Sequence, residues 1–92
     1  MSDKLFVELT IINERGLHAR AAANFVKAIE GLDANVEVER LGQVVDGNSI
    51  MGLMMLAASK GTSIKISATG SEAKLAISNL TNLINSKFGE EK

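Results

Sequence analysis

The spacing of hydrophobic and polar positions changes several times along the chain, and each change predicts a different secondary structure. From Ala19 to Glu30 the spacing is helical, and Gly31 stands where a glycine commonly ends a helix. Alternation at residues 35–39, followed by a turn at residues 41–42 and a short strand at residues 43–45, predicts a hairpin. Alternation also predicts a first strand with one buried face, and its inward residues are Leu5, Val7, Leu9 and Ile11.

The second half of the chain predicts a short helix, a strand and a longer helix. The short helix spans residues 50–59 and is closed by Gly61, and Ile64 and Ile66 mark the last strand. Ser71 is the expected N-cap of the longer helix. The apolar face of that helix consists of Ala73, Ile77, Leu80, Ile84 and Phe88.

The element order β-α-β-β-α-β-α predicts an α+β fold. Polar residues at alternate positions in three strands indicate an antiparallel sheet with one open face. We therefore expect an open-faced β-sandwich, in which a four-stranded antiparallel sheet is covered on one face by three helices. With 92 residues, the chain has room for one domain, over residues 1–92, and not for a deep cofactor cavity. No cofactor is expected.

Composition excludes several other classes of protein. The chain has no cysteine and one histidine, which argues against a disulfide framework, a thiolate zinc site and any metal cluster. Residues 1–4 do not resemble the start of a signal peptide, and the longest apolar run, residues 53–58, is far shorter than the ~20 residues that cross a bilayer. A net charge of −1 and the absence of Tyr and Trp disfavour nucleic-acid binding. We expect a soluble, cytoplasmic domain without membrane insertion.

His18 is the residue best placed for chemistry. It ends a loop after the first strand, and helical spacing begins at Ala19. The amino end of a helix has N–H groups without partners and a dipole that favours negative charge, so it attracts phosphate. Arg20 adds a guanidinium suited to phosphate oxygens. The alternative is that His18 only caps the helix and Arg20 is a solvated surface charge.

Ser49 and the helix that follows it also allow two interpretations. Ser49 is a favourable N-cap on propensity alone. The helix is apolar nearly all round, with Leu53, Leu56 and Ala57 on the face expected to pack on the sheet. It is either buried on both sides or presents a methionine-rich docking surface, because flexible thioethers adapt to several partners. The residues expected to point away from the sheet are Met51, Met54 and Met55, with Ile50 between the two faces.

Taken together, these residues resemble the histidine-containing phosphocarrier (HPr) family of the bacterial phosphoenolpyruvate-dependent phosphotransferase system. The resemblance covers nearly the whole chain and includes the order of elements. The segments that carry it are Gly16-Leu17-His18-Ala19-Arg20, Phe25-Val26-Lys27, and Asn48-Ser49-Ile50-Met51-Gly52 continuing to Lys60-Gly61.

The resemblance implies an HPr-like fold and a phosphoryl carrier. His18 would take a phosphoryl group on Nδ1 from enzyme I and pass it to a histidine of an enzyme IIA protein or domain, while Arg20 steadies the phosphate. Ser49 falls on the serine that a dedicated kinase modifies in some bacteria, although a pure capping role stays open. The protein would act as a monomer. The residues that would dock both partners are Ala19, Ala23, Lys27, Ile50, Met51 and Met54.

The sequence departs from the family pattern at Ala21, where proline is common. Alanine leaves a free N–H early in the helix and loosens the first turn only slightly. The sugar-transporting and the nitrogen-related branches of the system both stay open, and Ala21 is a hint of the second. The expected role is a stoichiometric relay rather than a turnover enzyme. The alternative is a regulatory module of the same fold that binds partners without being phosphorylated.

Overall fold

The computed structural model describes residues 4–92; residues 1–3, which enter the signal-peptide prediction, lie outside it. Its strands are β1 (Leu5–Thr10), β2 (Asn35–Arg40), β3 (Gln43–Asp46) and β4 (Ser63–Thr69). Its helices are α1 (Ala19–Ile29), α2 (Ile50–Met55) and α3 (Ala73–Asn85), followed by a short turn at Lys87–Gly89.

All four strands form one antiparallel sheet in the order β1-β4-β2-β3. One face of the central strands β4 and β2 is buried, and its residues include Val36, Val38, Ile64 and Ile66. Their polar neighbours Glu37 and Lys65 point to the opposite, open face. The predicted open-faced antiparallel fold is therefore confirmed.

The predictions of helix α1 and of the hairpin formed by β2 and β3 are also confirmed. Helix α1 buries the face that carries Ala22, Phe25 and Ile29, and Gly31 follows it with a φ of +79°. Between β2 and β3 the chain turns at residues 41–42, which both have positive φ, 51° and 84°. Two such residues form the turn whose twist matches that of the flanking strands.

Helix α2 is shorter than predicted. It ends at Met55 rather than Ser59, because Ala57 adopts a left-handed conformation with a φ of +51°. This bend redirects the chain so that Ala58 is buried and its carbonyl accepts a hydrogen bond from the Leu17 N–H at 2.9 Å. The bend also leaves Ala57, predicted to pack on the sheet, outside the helix and exposed.

The start of α3 differs from the prediction as well. Glu72, not Ser71, is the N-cap residue. The Ser71 hydroxyl donates instead to the carboxylate of Asp33, and the Glu72 carboxylate accepts from the Asp33 N–H at 2.7 Å. The loop before β2 thus takes the hydroxyl that the sequence pattern assigned to the helix.

Phe88 lies beyond the end of α3, although its spacing continued the apolar face of that helix. Lys87, Phe88 and Gly89 all have positive φ, between 56° and 80°. This left-handed turn reverses the chain and still buries the Phe88 ring in the core. Residues 90–92 are thereby directed back across the molecule.

Candidate functional site

The site is built on the loop between β1 and α1, which is anchored at Gly16. The φ of Gly16 is +67°, and a Cβ there would lie 2.6 Å from the Ala58 carbonyl oxygen. The next residue, Leu17, donates its N–H to the same oxygen. Only glycine allows this close approach of backbone to backbone, so Gly16 and the bend after α2 together fix the position of His18.

His18 occupies the N-cap position of α1, with extended backbone and a side chain that does not cap the helix. Its Nε2 lies 2.5 Å from Oε2 of Glu90, and 15% of the side chain is exposed. The ring is therefore partly covered but not sealed from solvent. Within residues 4–92, Nδ1 makes no hydrogen bond.

Asn13 links the loop to the carboxyl-terminal residues. Its Nδ2 donates to the Gly16 carbonyl at 2.9 Å and to Oε1 of Glu90 at 3.1 Å. The side chain is completely buried, and its Oδ1 has no hydrogen-bond partner. Sequence reasoning missed both residues. Asn13 follows Leu9 and Ile11 in the alternation that predicts inward-pointing side chains. The signal that could have found it was a polar residue at a position where the pattern predicts burial.

Several groups act on the pKa of the Glu90 carboxyl. Burial acts to raise this pKa, but hydrogen bonds from His18 and Asn13, together with the charges of His18 and Arg15, outweigh burial and lower it. The carboxylate is therefore favoured beside the imidazole.

The amino end of α1 presents free donors next to the ring. The intrahelical ladder begins with the Ala22 N–H, which donates to the His18 carbonyl at 2.8 Å. The N–H groups of Ala19 and Arg20 precede this bond and have no acceptor among residues 4–92. Arg20 is exposed, its guanidinium makes no ion pair in that part of the chain, and the first turn contains no acidic residue. Ala21, at the position of the family's usual proline, is fully buried.

The predicted docking residues lie on two helices that contact each other, α1 and α2. On α1, Ala19 and Lys27 are exposed and Ala23 is partly exposed. On α2, Leu53 is buried against the rest of the domain, whereas the opposite face of the helix is open to solvent. The helix is therefore not covered on both sides. The exposed fractions on that face are 41% for Ile50, 72% for Met51, 42% for Met54 and 65% for Met55.

Ser49 is the N-cap of α2, as its propensity predicts. Its Oγ accepts a hydrogen bond from the Gly52 N–H at 2.9 Å, and the residue is partly exposed. The hydroxyl therefore sits at the edge of the exposed methionine face.

The open face of the sheet holds shallow grooves, away from His18. One of about 390 Å³ is lined by residues of β2, β3 and β4. Beside it Phe6 is 56% exposed, with the Lys65 ammonium 4.7 Å from its ring centre. Within the described residues, no three His, Cys, Asp or Glu side chains are arranged to hold a metal ion. None of the helices formed by residues 4–92 has the length and apolar character needed to cross a bilayer.

Comparisons with known proteins agree on one family. The family model described as "PTS HPr component phosphorylation site" matches residues 7–86. The chain is 47% identical to the phosphocarrier protein HPr of Pseudomonas aeruginosa over 85 residues, which cover 91% of this chain and 94% of the relative.

Solved structures of Thermoanaerobacter tengcongensis HPr are similar in fold. One, described as HPr-C-His, has a TM-score of 0.90 and 43% identity, covering 96% of this chain and 99% of that one. Another, described as an HPr dimer, has a TM-score of 0.75 and 44% identity, covering 91% and 97% of the two chains.

Proposed function

The chain belongs to the HPr family of phosphocarrier proteins of the phosphotransferase system, and from this premise we propose that His18 carries the phosphoryl group. His18 accepts it from a phosphohistidine of enzyme I and passes it to a histidine of an enzyme IIA. The observation that carries the proposal is the partly exposed imidazole at the amino end of α1, next to N–H groups without partners.

In the transfer, the lone pair of His18 Nδ1 attacks phosphorus while the bond from phosphorus to the donor histidine breaks. The attacking ring must be neutral, since a protonated Nδ1 has no lone pair. The transferred group spreads negative charge over three oxygens, so positioned donors supply most of the rate enhancement. The N–H groups of Ala19 and Arg20 and the Arg20 guanidinium are the donors beside this ring. A second transfer by the same route regenerates free His18.

We place the partner surface on the exposed residues of α1 and α2. The predicted docking residues on these helices are apolar apart from one cation, Lys27 on α1. Such a surface suits a partner that brings its own histidine and an acidic rim. This docking patch consists of Ala19, Ala23, Lys27, Ile50, Met51 and Met54.

Phosphorylation of Ser49 by a dedicated kinase is a proposed means of regulation. A phosphate there adds about two negative charges at the edge of the apolar patch. Binding to an acidic partner would weaken, although the N-cap position itself tolerates a phosphate.

Phosphoenolpyruvate, magnesium and enzyme I supply the direct test. We expect an acid-labile, alkali-stable phosphate on this protein that is absent from His18→Ala. A matched control is Asn24→Ala on the same helix, which should label like the unmodified chain. If the unmodified protein takes up no phosphate under conditions that label a known HPr, it is instead a regulatory module that binds through α2.

The proposed carrier works in the cytoplasm and as a monomer, without nucleic acid. Because one solved relative is described as a dimer, light scattering at the concentration of the transfer assay tests the monomer. A mass twice that of the 9.8 kDa chain would contradict it.

A further inference from the structure

Glu90 lies in the candidate site although it is 72 positions after His18 along the chain. The left-handed turn at residues 87–89 places Phe88 in the core and brings the Glu90 carboxylate to His18. The main-chain oxygen of Lys92 accepts from the Glu14 N–H at 2.5 Å, which ties residues 90–92 to the same loop. Two non-glycine residues in this turn hold a conformation that costs about 1–2 kcal/mol each, so the surrounding contacts enforce it.

The two carboxylate oxygens of Glu90 have different partners: Oε1 accepts from Asn13 and Oε2 pairs with His18. Both partners restrict which side chain is suitable at position 90. Asn13 must turn its NH₂ group towards Glu90, because the same Nδ2 also donates to the Gly16 carbonyl. Both partners of Nδ2 are acceptors, and the buried Oδ1 is left without a partner as a result. Asn13 therefore requires an acceptor at Oε1 and fixes the carboxylate plane, which aims Oε2 at His18.

We propose that Glu90 is a positioning residue that fixes the tautomer of His18. An ionised carboxylate only accepts hydrogen bonds, so Nε2 of the neutral ring carries the proton and Nδ1 keeps its lone pair. The bond to phosphorus then forms at Nδ1 while the proton stays on Nε2, and the carboxylate stabilises the positive charge that develops on the ring. This inference deepens the proposed function and rests on it.

The constraint from Asn13 makes glutamine a more disruptive substitution than alanine. In Glu90→Gln the amide oxygen must face Asn13, so its NH₂ group faces Nε2 and donates to it. The ring then carries its proton on Nδ1, the atom that should attack. In Glu90→Ala the ring has no imposed partner and samples both tautomers. A residue that only held the tail in place would show the opposite order, because glutamine keeps more of the contacts.

Two measurements on the full chain test this assignment. The first is ¹⁵N NMR of the ring, which is simple because the chain has one histidine. At a pH where the ring is neutral, we expect a protonated Nε2 in the unmodified protein and a protonated Nδ1 in Glu90→Gln. The matched control is Glu91→Gln, an exposed neighbour, which should keep the unmodified pattern.

The second measurement is the rate of phosphoryl transfer from enzyme I. We expect a loss of about tenfold in Glu90→Ala, as for other residues that orient a histidine. Glu90→Gln should lose about a hundredfold or more, because it imposes the wrong tautomer. A protonated Nε2 in Glu90→Gln, or a greater loss in Glu90→Ala than in Glu90→Gln, would overturn the assignment. Failure of the unmodified protein to accept phosphate would instead remove the proposed function and leave the NMR result standing.

Discussion

Gly16→Ala is the substitution for which the structure gives the clearest magnitude. The residue has a φ of +67°, and an added Cβ would lie 2.6 Å from the Ala58 oxygen and 3.0 Å from the Ser59 Cα. The left-handed conformation alone costs alanine about 1 kcal/mol. Overlap with backbone that cannot rotate away costs about 2 kcal/mol more. We therefore expect a loss of about 3 kcal/mol in the free energy of unfolding, or roughly 15 °C in Tm for a domain of this size.

Gly31→Ala is the matched control. Its φ is +79°, close to that of Gly16, but nothing lies within 4 Å of the added Cβ. It should lose only the conformational term, about 1 kcal/mol. The difference between the two variants isolates the contact between the site loop and Ala58.

Urea and thermal unfolding followed by far-ultraviolet circular dichroism suit the measurement, because the chain has no Tyr or Trp to report by fluorescence. Gly16→Ala should also slow phosphoryl transfer while folded, since the loop that carries His18 must shift. Equal losses of stability in the two variants would refute the reasoning, because they would mean that the loop moves away from Ala58 without cost.

Three further predictions concern the site and its surroundings. Arg20→Ala should slow transfer by about tenfold or more, since a charge-assisted hydrogen bond is lost, while its thermal unfolding stays unchanged; an unchanged transfer rate would remove Arg20 from the site. Met51→Glu should weaken enzyme I binding in calorimetric titration by about tenfold or more without unfolding the domain, whereas the control, Leu75→Glu at an exposed position of α3, should bind normally. Because the pKa of Glu90 is lowered on folding, its carboxylate stabilises the fold above its unfolded pKa, and this contribution is lost as pH falls through the folded value. The difference in unfolding free energy between the unmodified protein and Glu90→Ala should therefore shrink below about pH 4.5; a constant difference down to pH 3 would contradict it.

The elements that sequence reasoning located correctly are those whose pattern comes from burial against one sheet. The alternation at residues 7–11 and the helical face of α1 each follow from a single apolar interface, so residues close in sequence are enough to reveal them. Leu5, expected on the buried face of β1, is 37% exposed. The end of α2 was wrong because the contact between Ala58 and Leu17 decides it. Ser71 was wrong as an N-cap because Asp33, 38 positions earlier, takes its hydroxyl.

The residues of the candidate site likewise fall into those that local sequence pattern reveals and those that depend on distant contacts. His18, Arg20 and the exposed face of α2 are adjacent in sequence to helix starts, where local pattern is informative. Glu90 was not predicted, because nothing in a polar tail indicates that it folds back onto residues 13–18. Its place depends on the turn at Phe88, where an apolar residue follows the end of a helix and enters the core by reversing the chain.

The strand order has a consequence for how the chain folds as it is synthesised. Strand β1 is made first, but its ladder partner is β4, which is complete only at Thr69. Strand β1 therefore cannot form its ladder until two other strands, two helices and β4 itself have been synthesised. Pairing between segments so distant in sequence slows folding. A nascent fragment that lacks β4 has no partner for β1, so it cannot form this ladder or hold in place the loop that follows β1.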